Sequence, residues 1–347
     1  MIFFDTTKTG TATHRSGLTR VSARLRDGLG AAAVDVRWDA ATRGLAPGTT
    51  RPQANDWFLT AELFSEDERP GFNAFLQNRP CRLAAIFHDA IPLKHPHITW
   101  PQSVARHPGY MKQLARFDRV WAVSAASRDE LLGFWQWQGV THPPPVDVLA
   151  LGADFNGQPR VTHRVVPPNS PPQLVTLGIL EPRKNQTFLL EVCADLWAAG
   201  LAFELHIVGR VNPHFGRPIV ARIKALQRAW PGALHFHEAA NDAKVAALCA
   251  SARALVFPTV AEGCGLPLLE ALWQGLPCLC SDLSVLRENA DGGGCVPVTL
   301  NDRTAWSRAL RDVVTDDANV AALIAAATTR ALPTWAEAAR TLASALR

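Results

Sequence analysis

"QLVTLGILEPRKNQTFLLEVCADLWAAGLAFELHIVG", residues 173–209, holds two short apolar runs with one helical pattern between them. "QLVTLG" (173–178) and "AFELHIVG" (202–209) have strand length, and the pattern between predicts a helix over 186–199, stopped by Gly200. Continuous apolar strands alternating with helices are the mark of a parallel sheet covered on both faces.

The same alternation runs outward in both directions. Toward the N-terminus, strands are predicted at 2–4, 34–38, 56–60, 82–87, 119–124 and 146–150. Between the first two, Leu18, Val21, Leu25 and Leu29 form one helical stripe. Toward the C-terminus, strands follow at 234–238, 252–258, 277–281 and 295–298. The halves are separated by "NGQPRVTHRVVPPNSPPQ" (156–173), whose prolines restrain the chain and remove backbone donors. The expectation is an α/β protein of two Rossmann-like, doubly wound domains: 1–155, a proline-rich linker 156–172, then 173–330. A closing helix within 331–347 opens with Thr334 and Glu337 at capping-box spacing, and Trp335, Leu342 and Leu346 give it an apolar face.

Bulk composition narrows the class. The 347 residues are 48% hydrophobic and 19% charged, as in a folded chain of two domains. The net charge of +4 suits an anionic ligand or a membrane surface, but no Lys/Arg block marks a nucleic-acid tract. Seven scattered cysteines without a CxxC pair argue against a disulfide framework or a cysteine zinc site, and for a reducing compartment. With no apolar leader or long apolar span, a cytoplasmic protein is expected, with peripheral contact at the inner face of the membrane.

Two loops look built for a ligand. In "LGILEPRKNQTFLLEV" a strand ends at Gly178, Arg183 and Lys184 occupy the loop, and Asn185 is placed to cap the next helix. Two cations supplementing a helix N-terminus suit a diphosphate, although a solvated Arg-Lys pair is the plainer reading of that dipeptide. In "AEGCGLPLLEALWQGLPCLC" (261–280), Gly263 and Gly265 permit close backbone approach, and Pro267 suits the first position of a helix. Glu262 precedes the turn and Glu270 is expected in the first helical turn, so both carboxylates can serve one concavity. Carboxylates accept from the vicinal hydroxyls that sugars offer.

These residues resemble a family. "EGCGLPLLEA" matches the E-x7-E signature of retaining GT-B glycosyltransferases, close to glycosyltransferase family 4, and "RKN" its phosphate-binding pair. "HDAIPLKHP" (88–96) is similar to a stretch of the family's bacterial mannosyltransferase-like members. "VSAASRDEL" (123–131), "LGAD" (151–154) and "TWAEAARTL" (334–342) resemble further family motifs in the expected order.

The resemblance implies two domains facing a central cleft, with the last helix crossing back to the first. It implies that Glu262 holds hydroxyls of the transferred sugar, helped by the backbone N–H groups of Cys264, Gly265 and Leu266. Glu270 takes the ribose hydroxyls, and Arg183 and Lys184 neutralise the departing diphosphate. Gly17 brings a helix N-terminus against that diphosphate, and His88 contacts the sugar and the reacting centre. The chain departs from the family in reading Ser16-Gly17 where many relatives have two glycines. "FHEAAND" (236–242) lacks a usual glycine, and Cys264 replaces a common aromatic.

No D-x-D occurs, so a metal-diphosphate clamp has no obvious ligands, and neither a metal nor a separate cofactor is expected. The leading expectation is a metal-independent retaining hexosyltransferase using GDP-mannose as substrate. Its acceptor would be a glycan or lipid-linked saccharide of surface polysaccharide or lipopolysaccharide synthesis. A UDP- or dTDP-sugar transferase, a nucleotide-sugar epimerase on the same frame, and a non-catalytic sugar-nucleotide binder remain open. The tryptophans at 135, 137 and 273 read as packing residues. Arg106, Lys112, Arg116 and Arg119 read as either a membrane-facing charge or a solvated helix face.

Overall fold

A computed structural model describes residues 1–11, 16–46, 52–154, 157–168 and 170–347. The chain divides into two compact units, 1–152 with 333–347, and 153–332. The expected boundary at 155/156 lies outside the described residues, as do residues 12–15 ahead of Gly17.

The first unit contains β1 (Ile2–Asp5), α1 (Gly17–Leu29), β2 (Ala33–Asp39), β3 (Gly44–Ala46) and β4 (Trp57–Thr60). It continues with α2 (Phe72–Asn78), β5 (Arg82–Phe87), α3 (Ile91–Lys94), α4 (Pro101–Leu114), β6 (Arg119–Ala122), α5 (Ala125–Trp137) and β7 (Val146–Val148). Among the described residues its sheet runs β3-β2-β1-β4-β5-β6-β7 and is parallel except for β3. That short antiparallel edge strand carries no sequence pattern strong enough to have been expected.

The second unit contains β8 (Gln173–Leu177), α6 (Gln186–Ala198), β9 (Glu204–Val208), α7 (Gly216–Ala229), β10 (Leu234–His237), α8 (Asp242–Ser251) and β11 (Ala254–Phe257). It continues with α9 (Leu266–Trp273), β12 (Cys278–Ser281), α10 (Ser284–Ala290), β13 (Cys295–Val298), α11 (Arg303–Thr315) and α12 (Asp317–Thr329). Its parallel sheet runs β10-β9-β8-β11-β12-β13. Leu205, Ile207 and Leu234 turn one face of the sheet into a core with α6, α7, α11 and α12, filled around the fully buried Trp306. The proline-rich stretch lies within this unit. Arg164 donates to the carbonyls of Cys249, Ala252 and Gln274, and the Trp273 indole N–H donates to the Gln158 carbonyl.

The closing helix, α13 (Trp335–Ala345), belongs to the first unit. Thr334 and Glu337 form the capping box reciprocally, and the helix packs so tightly on α1 that a Cβ at Gly28 would meet the Ala339 Cβ at 2.6 Å. Trp335 and Leu342 are buried there. No helix among the described residues is long and apolar enough to cross a membrane.

Both strand orders reverse direction once. In the second sheet β8 and β11 are neighbours although α6 to α8 separate them in sequence, and in the first sheet β1 and β4 are. Ligands of open α/β sheets bind outside the carboxyl ends of the strands at such a switch point.

Candidate functional site

The loops leaving β8 and β11 meet at the second unit's switch point and bring together residues 78 positions apart. Lys184 Nζ donates to Glu262 Oε1 at 2.5 Å, Arg183 donates to the same oxygen at 3.1 Å, and the Thr259 hydroxyl donates to it at 2.9 Å. Arg183 also pairs with Glu181 at 2.9 Å, and Glu181 accepts from the Asn212 side chain at 3.1 Å. Lys184 lies over the Phe257 ring, 5.1 Å from its centroid.

Burial pushes the Glu262 carboxyl up, but the charges of Lys184 and Arg183 and the hydrogen bonds from Lys184 and Thr259 outweigh it. The net shift is downward, so the carboxylate stays ionised. Burial and the Arg183 charge draw Lys184 down against the pull of Glu262. Sequence reasoning missed Thr259, Glu181 and Asn212. The only local signals were the three-residue spacing of Thr259 to Glu262 and the two-residue spacing of Glu181 to Arg183.

The turn after Glu262 prepares a row of donors. Gly265 adopts φ +79° as the residue preceding α9, and a Cβ there would meet Leu286 Cδ2 at 2.6 Å, so only glycine fits. Among the described residues, the N–H groups of Cys264, Gly265 and Leu266 donate to no protein acceptor. Free amides at a helix start bind anionic or hydroxyl oxygens. Burial, with nearby carboxylates, pushes the Cys264 thiol up to about 12, so it is a neutral surface and not a nucleophile.

Two local expectations are corrected. Pro267 is the second helical residue and Glu270 the fifth, each one residue deeper than expected, because the left-handed Gly265 starts the helix at Leu266. Glu270 is buried there. Asn185 stands at the cap position of α6 but does not cap it. It is left-handed itself, at φ +59°, and its amide donates to the Pro258 carbonyl and to Asn301 at 3.0 and 2.9 Å. The glycine missing from "FHEAAND" leaves a trace, since Ala239 is held at φ +51°, a conformation costly to a residue with a Cβ.

In the first unit, His88 follows β5 and is buried. Its Nε2 lies 2.8 Å from the Ala61 carbonyl, which can only accept, so Nε2 carries the hydrogen and Nδ1 keeps a lone pair. Burial, aided by His107, lowers its pKa, with Ala61 and Asp89 opposing; the ring is neutral. Asp89 accepts from the Ile91 N–H at 2.9 Å and so caps the following turn. Gly17 is the first residue of α1, behind the Ser16–Thr19 capping box. A Cβ there would touch nothing within 4 Å, so the protein's own packing does not require glycine.

Beside them, at the first sheet's switch point, lies a network that sequence reasoning missed entirely. Arg69 pairs with Asp5 at 2.7 Å and with Glu62 at 2.6 Å, all three buried. Asp5 accepts from the Thr60 and Thr7 hydroxyls, and Glu62 from the backbone N–H groups of Lys8 and Thr9. The network therefore grips the loop between β1 and α1.

Of the expected aromatics, Trp135 and Trp273 pack, with 1% and 9% exposure, whereas Trp137 is 76% exposed because it ends α5 facing solvent. Arg106 and Arg119 are paired with Glu68 and Asp147.

Residues 171–316 match a family described as "Glycosyl transferases group 1". The serotype-specific mannosyltransferase WbdA of Escherichia coli is 28% identical over 257 residues, covering 67% of this chain and 29% of WbdA. The chain thus spans less than a third of that relative's length. The O-antigen chain mannosyltransferase B of Escherichia coli is 27% identical over 262 residues, 71% of this chain and 65% of the relative. Among solved structures, Anabaena HepE in complex with UDP and glucose superposes with a TM-score of 0.69 at 13% identity, covering 99% of this chain and 98% of HepE. The two parallel-sheet α/β units have the fold of GT-B glycosyltransferases, and the second carries a domain similar to the glycosyl transferases group 1 family.

Proposed function

We propose that this protein is a metal-independent, retaining glycosyltransferase of family 4 that moves a hexose from a nucleotide sugar. GDP-mannose is the leading donor, and the acceptor is a glycan or lipid-linked saccharide of surface polysaccharide or lipopolysaccharide synthesis at the inner face of the membrane. The observation that carries the reading is the pairing of Arg183 and Lys184 with Glu262 beside the unpartnered amides of Cys264, Gly265 and Leu266. Both Escherichia coli relatives are mannosyltransferases, which supports mannose.

Each group then has a task. An incoming diphosphate competes with Glu262 for the two cations and frees its carboxylate to accept from hydroxyls of the transferred sugar. Glu270 accepts from the ribose hydroxyls. As the bond from the anomeric carbon to the diphosphate oxygen breaks, charge grows on that oxygen, and Arg183, Lys184 and the starts of α1, at Gly17, and α9 stabilise it. The acceptor oxygen bonds to the anomeric carbon on the same face, and its proton passes to the departing phosphate. His88, neutral with its Nδ1 lone pair available, accepts a hydroxyl of the sugar. Preorganised donors of this kind are each worth on the order of 10²–10³ in rate.

HepE, described with UDP and glucose, favours a second reading in which the donor is UDP-linked. Incubation with GDP-mannose or UDP-glucose, a mannan acceptor and EDTA, followed by proton NMR of the product, tests both. An α-linked product from GDP-mannose supports the proposal, and a β-linked one overturns retention. Turnover of UDP-glucose alone overturns the donor, and turnover of neither overturns the transferase reading.

A further inference from the structure

The open edge of the second sheet carries a side-chain cluster that the donor chemistry does not use. The parallel register pairs His235 on β10 with His206 on β9, and Glu204 lies two residues before His206 on the same face. The opposite face of these strands is core, through Leu205, Ile207 and Leu234. Glu204 Oε2 is 3.1 Å from His206 Nε2 and 3.7 Å from His235 Nε2, and one ligand atom from each residue lies within 4.8 Å of the others.

We propose that Glu204, His206 and His235 form a binding site for a zinc-class divalent ion. Bonds of about 2.0–2.2 Å from nitrogen and oxygen ligands to tetrahedral zinc set ligand atoms roughly 3.3–3.6 Å apart, and the 3.1 and 3.7 Å found here lie just below and just above that range, a side-chain adjustment away. Two imidazoles and one carboxylate are a borderline donor set suited to zinc over magnesium or calcium, with water in the fourth position.

A further residue sits where a metal-bound histidine needs support. His206 Nδ1 is 3.0 Å from His237 Nε2, and the two rings are parallel within 5°. A His206 Nδ1–H donated to His237 leaves Nε2 free to ligate, the arrangement by which outer groups fix a ligand's tautomer. His235 exchanges its 2.9 Å bond to the Gly232 carbonyl for the ion. The residues lie toward the amino ends of β9 and β10, away from the Glu262 loop at the carboxyl ends, so the ion clips the edge strand and takes no part in transfer.

Full chain stripped with a chelator is titrated with zinc alone, read by calorimetry and by melting temperature. Cobalt(II) absorption reports whether thiolates ligate. Wild type should bind one zinc, gain thermal stability and show cobalt bands without thiolate charge transfer. His235→Ala, a half-exposed position, should lose that uptake while melting like wild type in chelator. His237→Ala should weaken it by about ten-fold or more. Equal zinc uptake by wild type and His235→Ala, no uptake by either, or thiolate bands in the cobalt form would each overturn the proposal.

Discussion

Each unit places a carboxylate–cation cluster at the switch point of its sheet, and the two clusters are built to different ends. Asp5, Glu62 and Arg69 are almost wholly enclosed, and both acids are saturated by hydroxyls or backbone amides. Glu262, Lys184 and Arg183 are less enclosed, and the turn beside them keeps three amides without protein acceptors. The first cluster fixes a loop, and its spare donor, Arg69 Nε, is buried inside it. The second has donors left over, and its cations can change partner. What separates a brace from a site is the row of backbone amides left unspent beside the second cluster, not the charge.

The largest effect should come from breaking the brace. Arg69→Met leaves two buried carboxylates unpaired, and removal of one partner of a buried ion pair costs about 3–5 kcal/mol. Urea denaturation should show that loss, and a variant as stable as wild type would show that the two clusters do not differ as described. Breaking the site should do the opposite. Arg183→Ala should reduce transfer on the order of 10²–10³ while leaving the urea midpoint nearly unchanged. A large stability loss there would make the second cluster a brace as well.

Smaller effects sharpen the contrast. Ala at Gly265 must take a left-handed φ and overlap Leu286, which should destabilise by more than the roughly 0.4–1 kcal/mol that an unstrained exchange gains, and blunt donor binding. Glycine at Ala239 should do the reverse and stabilise by up to about 1 kcal/mol, since a left-handed position favours glycine. The smallest effect is on pH. His88 and His107 are buried with pKa values lowered from the ordinary 6.5, so the unfolded chain binds protons that the folded one refuses. Their contribution is complete above 6.5 and is lost as pH falls from there toward the folded values. Urea midpoints measured on either side of 6.5 should fall on the acid side, and His88→Gln should flatten the slope; an unchanged slope would contradict the buried neutral ring.

Local chemistry was legible in the sequence, and long-range chemistry was legible only in part. The Thr334–Glu337 box, the stop at Gly200 and the parallel strands of both sheets follow from neighbours a few residues apart. Asn185 failed as a cap because two acceptors, 73 and 116 positions away, compete for its amide. Arg183, Lys184 and Glu262 could be named singly as candidates, but their mutual pairing depends on β8 lying beside β11. The Asp5–Glu62–Arg69 brace left no trace, because isolated acids and an arginine up to 64 positions apart look like ordinary surface charge. Glu204, His206 and His235 were equally invisible, since only the register of β9 and β10 unites them.

The central claim is that the second cluster is open to a nucleotide sugar. A thermal-shift titration with GDP, GDP-mannose, UDP and UDP-glucose in EDTA, on wild type and Glu270→Ala, tests it most directly. The account predicts that GDP ligands raise the melting temperature of wild type and move the variant much less. A melting temperature that no nucleotide moves would contradict it, and would return Glu262 and Glu270 to a loop and a buried helix turn.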